Sequence, residues 1–159
     1  MRAEIVALLV SPVHRLDGRP APVDLPDETV DSLDIRAGLG IVGDRYFGRR
    51  AHRDASVTVM AAESLDPWGA GLARARRNVL FRGVDVDGGR GRILELDSGE
   101  GLVALRLHRP ASPCAWMEHT VGPGAWRGLR RRGGMRAEPL TDGVLRVGPV
   151  RVTWRDSAT

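Results

Sequence analysis

The apolar residues of this chain fall in short runs separated by turn-forming residues. Ala3–Val10 is nearly all apolar and β-branched at several positions, and it predicts a buried first strand. Ser56–Met60 predicts a second strand by its β propensity. Strand candidates then follow at Asn78–Arg82, Arg92–Asp97, Leu102–His108, Met135–Leu140, Val144–Val147 and Val150–Trp154. Turn chemistry lies between them at 87–91 (DGGRG), 97–101 (DSGEG) and 141–143 (TDG). The Asp142-Gly143 pair, flanked by apolar residues, is the clearest hairpin signal. Helical signals are brief. Ala61–Leu65 has room for one turn before Pro67, Gly69 and Gly71, and 125–132 (AWRGLRRR) predicts a short helix ended by Gly133-Gly134. Residues 16–28 contain three prolines and predict an irregular surface loop. Many short strands joined by close turns imply a mainly β barrel or sandwich.

Composition narrows this picture. The 159 residues suit a single domain over 1–159, and 42% hydrophobic residues are enough for a packed core. Every one of the 24 basic side chains is arginine, and the net charge is +4. That balance favours anions without choosing among nucleic acid, anionic lipid and a phosphorylated small molecule. The triple Arg130–Arg132 lacks an interleaved aromatic surface, so it reads as a solvated helix face and no nucleic-acid partner is expected. One cysteine cannot form an internal disulfide, which suits a reducing compartment. The N-terminal apolar run is too short for a membrane span and lacks a signal-peptide shape. A cytoplasmic protein with no membrane partner is the expectation.

Four motifs bear on chemistry. Gly38-Leu39-Gly40-Ile41-Val42-Gly43 matches the dinucleotide fingerprint letter for letter, but no amphipathic helix pattern follows it, so it predicts a tight turn. Asp44-Arg45-Tyr46 can present a guanidinium to an anion with the acid orienting it, or form a structural salt bridge. Arg76-Arg77-Asn78 offers a bidentate fork and an amide to a phosphate or heterocycle edge, or simply a solvated strand entry. Ser112-Pro113-Cys114 follows a strand end, where a thiol can be held in a defined place; a small buried hydrophobe is the alternative. His108 and Arg109 lie nearby in sequence and are expected to favour the thiolate. No pair among His108, Cys114 and His119 has zinc-finger spacing, and no Gly-x-Ser-x-Gly elbow occurs.

In order along the chain, these pieces resemble the MOSC domain, named for the C-terminal domain of molybdenum cofactor sulfurase. The matching stretches are 6–20 (VALLVSPVHRLDGRP), 37–48 (AGLGIVGDRYFG), 56–65 (SVTVMAAESL) and 76–86 (RRNVLFRGVDV). Then come 108–118 (HRPASPCAWME), 122–134 (GPGAWRGLRRRGG) and 140–148 (LTDGVLRVG). The resemblance implies a closed, Greek-key-like β-barrel with a few short helices. It implies a molybdenum cofactor of the molybdopterin type, with Cys114 as metal ligand and catalytic thiol. It further implies that Arg45, Arg76 and Asn78 hold the pterin and its phosphate, and that Ser112 lines the ligand. Many relatives carry a second upstream cysteine where Ala111 stands here, so a two-thiol mechanism does not transfer.

Three functions remain open at this level. One is an oxidoreductase that removes oxygen from an N-hydroxylated small-molecule substrate, with electrons from a separate electron-transfer protein. Another is a persulfide sulfur carrier charged at Cys114 by a separate cysteine desulfurase, since no pyridoxal phosphate is expected on this chain. The third is a non-catalytic cofactor-binding or insertion module.

Overall fold

The computed structural model describes residues 1–15 and 25–157. Eleven strands are present among them: β1 (Arg2–Leu9), β2 (Thr29–Val30), β3 (Ser32–Arg36), β4 (Gly40–Ile41), β5 (Val57–Ala61), β6 (Val79–Arg82), β7 (Arg92–Asp97), β8 (Leu102–Pro110), β9 (Met135–Pro139), β10 (Gly143–Arg146) and β11 (Gly148–Asp156). Three short helices, α1 (Leu72–Ala75), α2 (Trp116–Thr120) and α3 (Ala125–Gly128), decorate them, with single 3-10 turns between. No helix among the described residues is long and apolar enough to cross a membrane. The predicted proline-rich loop lies mostly outside the described residues; 25–28 carry no regular structure.

Seven strands close a barrel in the order β11, β7, β8, β9, β5, β6, β1 and back to β11. Closure comes from the antiparallel pairing of Arg2–Ile5 with Gly148–Arg151, which joins the two ends of the chain and leaves no open edge there. All barrel pairings are antiparallel except β5 with β6. A parallel pair needs a crossover, and residues 62–78 supply it with α1 inside it. A smaller sheet, β10-β3-β4, packs on the barrel.

There are two apolar cores. The barrel interior holds Ile5, Phe81, Leu94, Leu105 and Val152, all fully buried. A second cluster outside the barrel wall joins Leu9, Met60, Leu72, Met117 and Leu129 under the helices. This explains why β1 and β5 are apolar on both faces. Strand alternation sends adjacent Leu8 and Leu9 to different cores, and the register shift between Ile5 and Ala7 lets Ile5 and Leu8, three residues apart, share the barrel interior.

Two sequence expectations change. Asp142-Gly143 does not make a hairpin between β9 and β10. Both edges of β9 are already paired, to β8 and β5, so β10 leaves the barrel and pairs with β3. Asp142 instead caps the other sheet by accepting the Ala37 amide at 2.8 Å. The helix predicted over 125–132 stops at Gly128. The Gly38–Gly43 segment is a turn, as its sequence predicts. Gly40 (φ 111°) sits in β4 so close to Ser56 that an added Cβ would lie 2.9 Å from the serine Cβ.

Candidate functional site

One end of the barrel collects polar side chains from three distant segments: the exit of β1, the turn after β4 and the entry to β6. Asn78 joins them. Its carbonyl accepts from the Thr58 amide (2.9 Å) and hydroxyl (3.0 Å), while its amine donates to Leu9 O (3.1 Å) and Asp44 Oδ1 (3.3 Å). The full hydrogen-bonding capacity of the amide is thus used inside the protein, and the residue is buried. Asn78 thereby holds Asp44 and the end of β1.

Asp44 is buried and accepts the Ser11 amide at 3.1 Å and the Tyr46 amide at 3.3 Å, and Arg45 N donates to Ser11 O at 2.9 Å. The Gly-Asp-Arg turn is thereby locked onto β1. Arg45 Nη1 stands 3.7 Å from Asp44 Oδ1, beyond hydrogen-bond length. Its Nε and Nη1 atoms are buried and have no hydrogen-bond partner among the described residues. Its guanidinium stacks 4.5 Å over the Tyr46 ring, which in turn lies 4.6 Å from the His52 ring. Arg45, Tyr46, Arg49, His52, Val13 and His14 line a cavity of about 390 Å³.

Arg76 closes α1 in the left-handed conformation (φ 55°), an uncommon state for a residue with a side chain. That backbone turn sends its guanidinium inward. Nη2 donates to Ser11 Oγ and to Glu28 Oε1 (3.1 Å), whereas Nη1 is buried without a partner among the described residues. Burial pulls the Arg76 guanidinium down, against the support of Glu28, and the neighbouring charges of Arg45 and Arg15 pull it further. Burial pushes the Glu28 carboxyl up, but hydrogen bonds from Arg15, Ser11 and Arg76 outweigh it and hold it below the usual range. Around this network the guanidiniums of Arg15, Arg45 and Arg76 outnumber the carboxylates of Asp44 and Glu28.

Cys114 is exposed on the segment that leaves β8, directly before α2, and Ser112 is exposed beside it. The cations expected to flank the thiol face elsewhere. Arg109 pairs with Asp54 at 3.0 Å, and His108 Nε2 lies 3.1 Å from Glu138 Oε2. A register shift in β8 between Leu107 and Arg109 turns these side chains onto β9 and the 3-10 turn before β5. The cationic side chain that reaches the start of this segment is Arg77, which donates from Nη2 to Ala111 O at 2.8 Å and from Nε to Gly133 O at 2.9 Å. Sequence alone singled out Arg45, Arg76, Asn78, Ser112 and Cys114, and the structure draws Arg45, Arg76 and Asn78 into one network. It adds Ser11, Glu28 and Arg77. The Arg-Arg dipeptide drew attention to Arg77 as a residue type, but nothing local distinguishes it from Arg76. A separate cavity of about 590 Å³, lined by Glu63, Asp85, Asp87, Arg131 and Arg132 among others, lies near Gly83 and takes no part in this network.

No family model and no curated protein matches the chain. Solved structures do match in shape. The YuaD protein from Bacillus subtilis superposes with a TM-score of 0.72 at 16% identity, covering 96% of each chain. YiiM from Escherichia coli gives 0.62 at 18% identity over 99% of this chain and 72% of that one. YiiM from Geobacillus stearothermophilus gives 0.62 at 15%, over 95% and 75%. At these identities the likeness is one of fold, and the chain shares with these proteins the closed barrel that the motif order implied.

Proposed function

We propose that this chain is a MOSC-type protein that binds an anionic, pterin-based molybdenum cofactor at the Arg45–Arg76 end of the barrel, with Cys114 as the thiolate ligand. The observation that carries this reading is the set of buried guanidinium N–H groups without partners among the described residues, Arg45 Nε and Nη1 and Arg76 Nη1. Buried donors normally find acceptors, and a phosphate is the acceptor that matches a guanidinium fork. The donor set fits the group: hard N–H donors for the phosphate, and one exposed soft thiol for a transition metal. Arg45 and Arg76 would hold the anionic part, and Ser112 would line the approach. When bound, the metal supplies two-electron oxygen removal, with an N-hydroxylated small molecule as the favoured substrate and a separate protein as electron donor.

The chain's own residues do the rest. Asp44 orients Arg45, Asn78 fixes Asp44, and the Tyr46 ring packs against the guanidinium plane. A second reading is favoured by the exposure and solitude of Cys114: it carries a persulfide received from a separate cysteine desulfurase.

The deciding experiment is expression in a cofactor-competent host, followed by metal analysis and fluorescence of released pterin. Wild type should retain molybdenum and pterin together. Cys114→Ala should lose molybdenum, and Arg45→Ala should lose both. Persulfide on Cys114 without metal selects the sulfur carrier, and absence of metal, pterin and persulfide overturns both readings.

A further inference from the structure

The arginine end of the barrel holds an open acceptor among its open donors. Glu28 stands directly before β2, whose pairing of Thr29 and Val30 with Leu9 and Leu8 fixes it beside the exit of β1. Its own carbonyl accepts the Val10 amide at 3.2 Å. One carboxylate oxygen is fully used: Oε1 accepts from Arg15 Nε at 3.0 Å, Arg76 Nη2 at 3.1 Å and Ser11 Oγ at 3.3 Å. The other, Oε2, is buried and has no partner among the described residues. The Glu28 side chain is 10% exposed and that of Arg76 4%, so bulk water compensates neither.

Oε2 shares its carbon with Oε1, and the unpartnered Nη1 of Arg76 shares its carbon with Nη2. An open acceptor and an open donor therefore flank one 3.1 Å ion pair. Ser11 ties Arg45 to the same pair: its carbonyl accepts the Arg45 amide at 2.9 Å, and its hydroxyl accepts from Arg76 Nη2. Arg45 adds Nε and Nη1 to the open donors. A ligand that completes this set must accept from guanidinium groups and also donate to a carboxylate. An anion without an O–H meets the first demand and brings like charge against Oε2. A phosphate monoester with one proton left meets both, since its ionised oxygens accept from arginine and its P–O–H donates to Oε2. Burial pushes the Glu28 carboxyl up, but the hydrogen bonds from Arg15, Ser11 and Arg76 hold it below its usual range, so it stays an acceptor in mild acid.

We propose that Glu28 is the specificity-determining residue of the Arg45–Arg76 site: Oε2 accepts a hydrogen bond from a protonated phosphoryl group and so selects a phosphate monoester over an anion of the same charge and shape that has no proton to give. This rests on the reading of Arg45 and Arg76 as the anion holders.

The test is calorimetric titration of the full chain, made without molybdenum, with methyl phosphate and with methyl sulfate at pH 5.5. Both esters are then mostly monoanions of similar size, and methyl phosphate alone carries an O–H. Wild type should bind methyl phosphate about tenfold or more tightly than methyl sulfate, the worth of one charge-assisted hydrogen bond. Glu28→Gln removes the charge that opposes methyl sulfate and weakens the bond to methyl phosphate, so the two affinities should come within about threefold. Binding of neither ester by wild type, equal binding of both, or an unchanged ratio in folded Glu28→Gln overturns the proposal. Should Glu28→Gln fail to fold, the wild-type ratio decides together with Arg45→Ala. A preference for methyl phosphate that disappears with binding in Arg45→Ala supports the proposal; one that survives there at full affinity lies elsewhere and overturns it. A wild type that loads no molybdenum or pterin in a competent host refutes the cofactor reading and leaves these affinities untouched.

Discussion

The inside of the barrel and its Arg45–Arg76 end are both buried, and they satisfy burial in opposite ways. Inside, Ile5, Phe81, Leu94 and Val152 touch only apolar neighbours, and no polar group needs a partner. At the end, Asp44, Arg76 and Asn78 are almost as buried, and each is placed by hydrogen bonds to chain segments far away in sequence. The interior tolerates other apolar sets of the same volume and pattern at a cost of about 1.5 kcal/mol or less per swap. The polar end has no such freedom, because each group lost leaves another unsatisfied. The polar end is also incomplete: among the described residues Arg45 and Arg76 retain buried donors without acceptors.

Substitutions can break that contrast. The largest expected effect is in the interior. Phe81→Ala should cost about 3–5 kcal/mol by denaturant unfolding, because a fully buried ring leaves a cavity in a closed barrel. Next is Glu28→Ala, which strands the buried Arg76 guanidinium and should cost about 3 kcal/mol. Asn78→Ala follows at about 2 kcal/mol, since Thr58, Leu9 O and Asp44 each lose a partner; it should also weaken cofactor retention by loosening the Asp44–Arg45 turn.

A pH series sharpens the same comparison. Folding holds the Glu28 carboxyl below its ordinary value of 4.5. Its contribution is therefore fully present above that value and is lost as pH falls through the lower folded value. The difference in unfolding free energy between wild type and Glu28→Gln should shrink across that acidic window and stay flat from pH 5.5 to 8. A difference that grows on acidification contradicts the ion-pair assignment. The smallest expected effect on stability is that of Arg45→Ala, about 0.5 kcal/mol or less, because its Nε and Nη1 make no hydrogen bond among the described residues. The same substitution should cost roughly 1.5–3 kcal/mol of affinity for the anionic ligand. A variant as destabilised as Glu28→Ala would mean that Arg45 is structural after all.

Much of the barrel was legible in the chain. Arg92–Asp97 is the predicted strand residue for residue, and β1, β5, β6, β8 and β9 lie within a residue or two of their predicted bounds. These strands pair apolar runs with Gly-rich turns, and both signals are local. The elements that sequence left unmarked are β2, β3, β4, α1 and α2, all of five residues or fewer. Elements that short gain their stability from packing against the barrel and show little periodicity of their own.

For the site, sequence supplied residue types and order, which carried the resemblance and pointed to Arg45, Arg76, Asn78, Ser112 and Cys114. It also determined the chemistry available: arginine as the basic side chain throughout, and a single thiol. Tertiary structure alone decided which groups meet. Asn78 holds Asp44, His108 and Arg109 pair with Glu138 and Asp54, and Arg77 reaches the carbonyl of Ala111. Asp142-Gly143 carried a strong hairpin signal and still failed to pair β9 with β10, because β8 and β5 already occupied both edges of β9. Local sequence fixes which backbone states a segment prefers; competition among segments for the same edge, and among side chains for the same acceptor, is resolved only when the chain closes on itself.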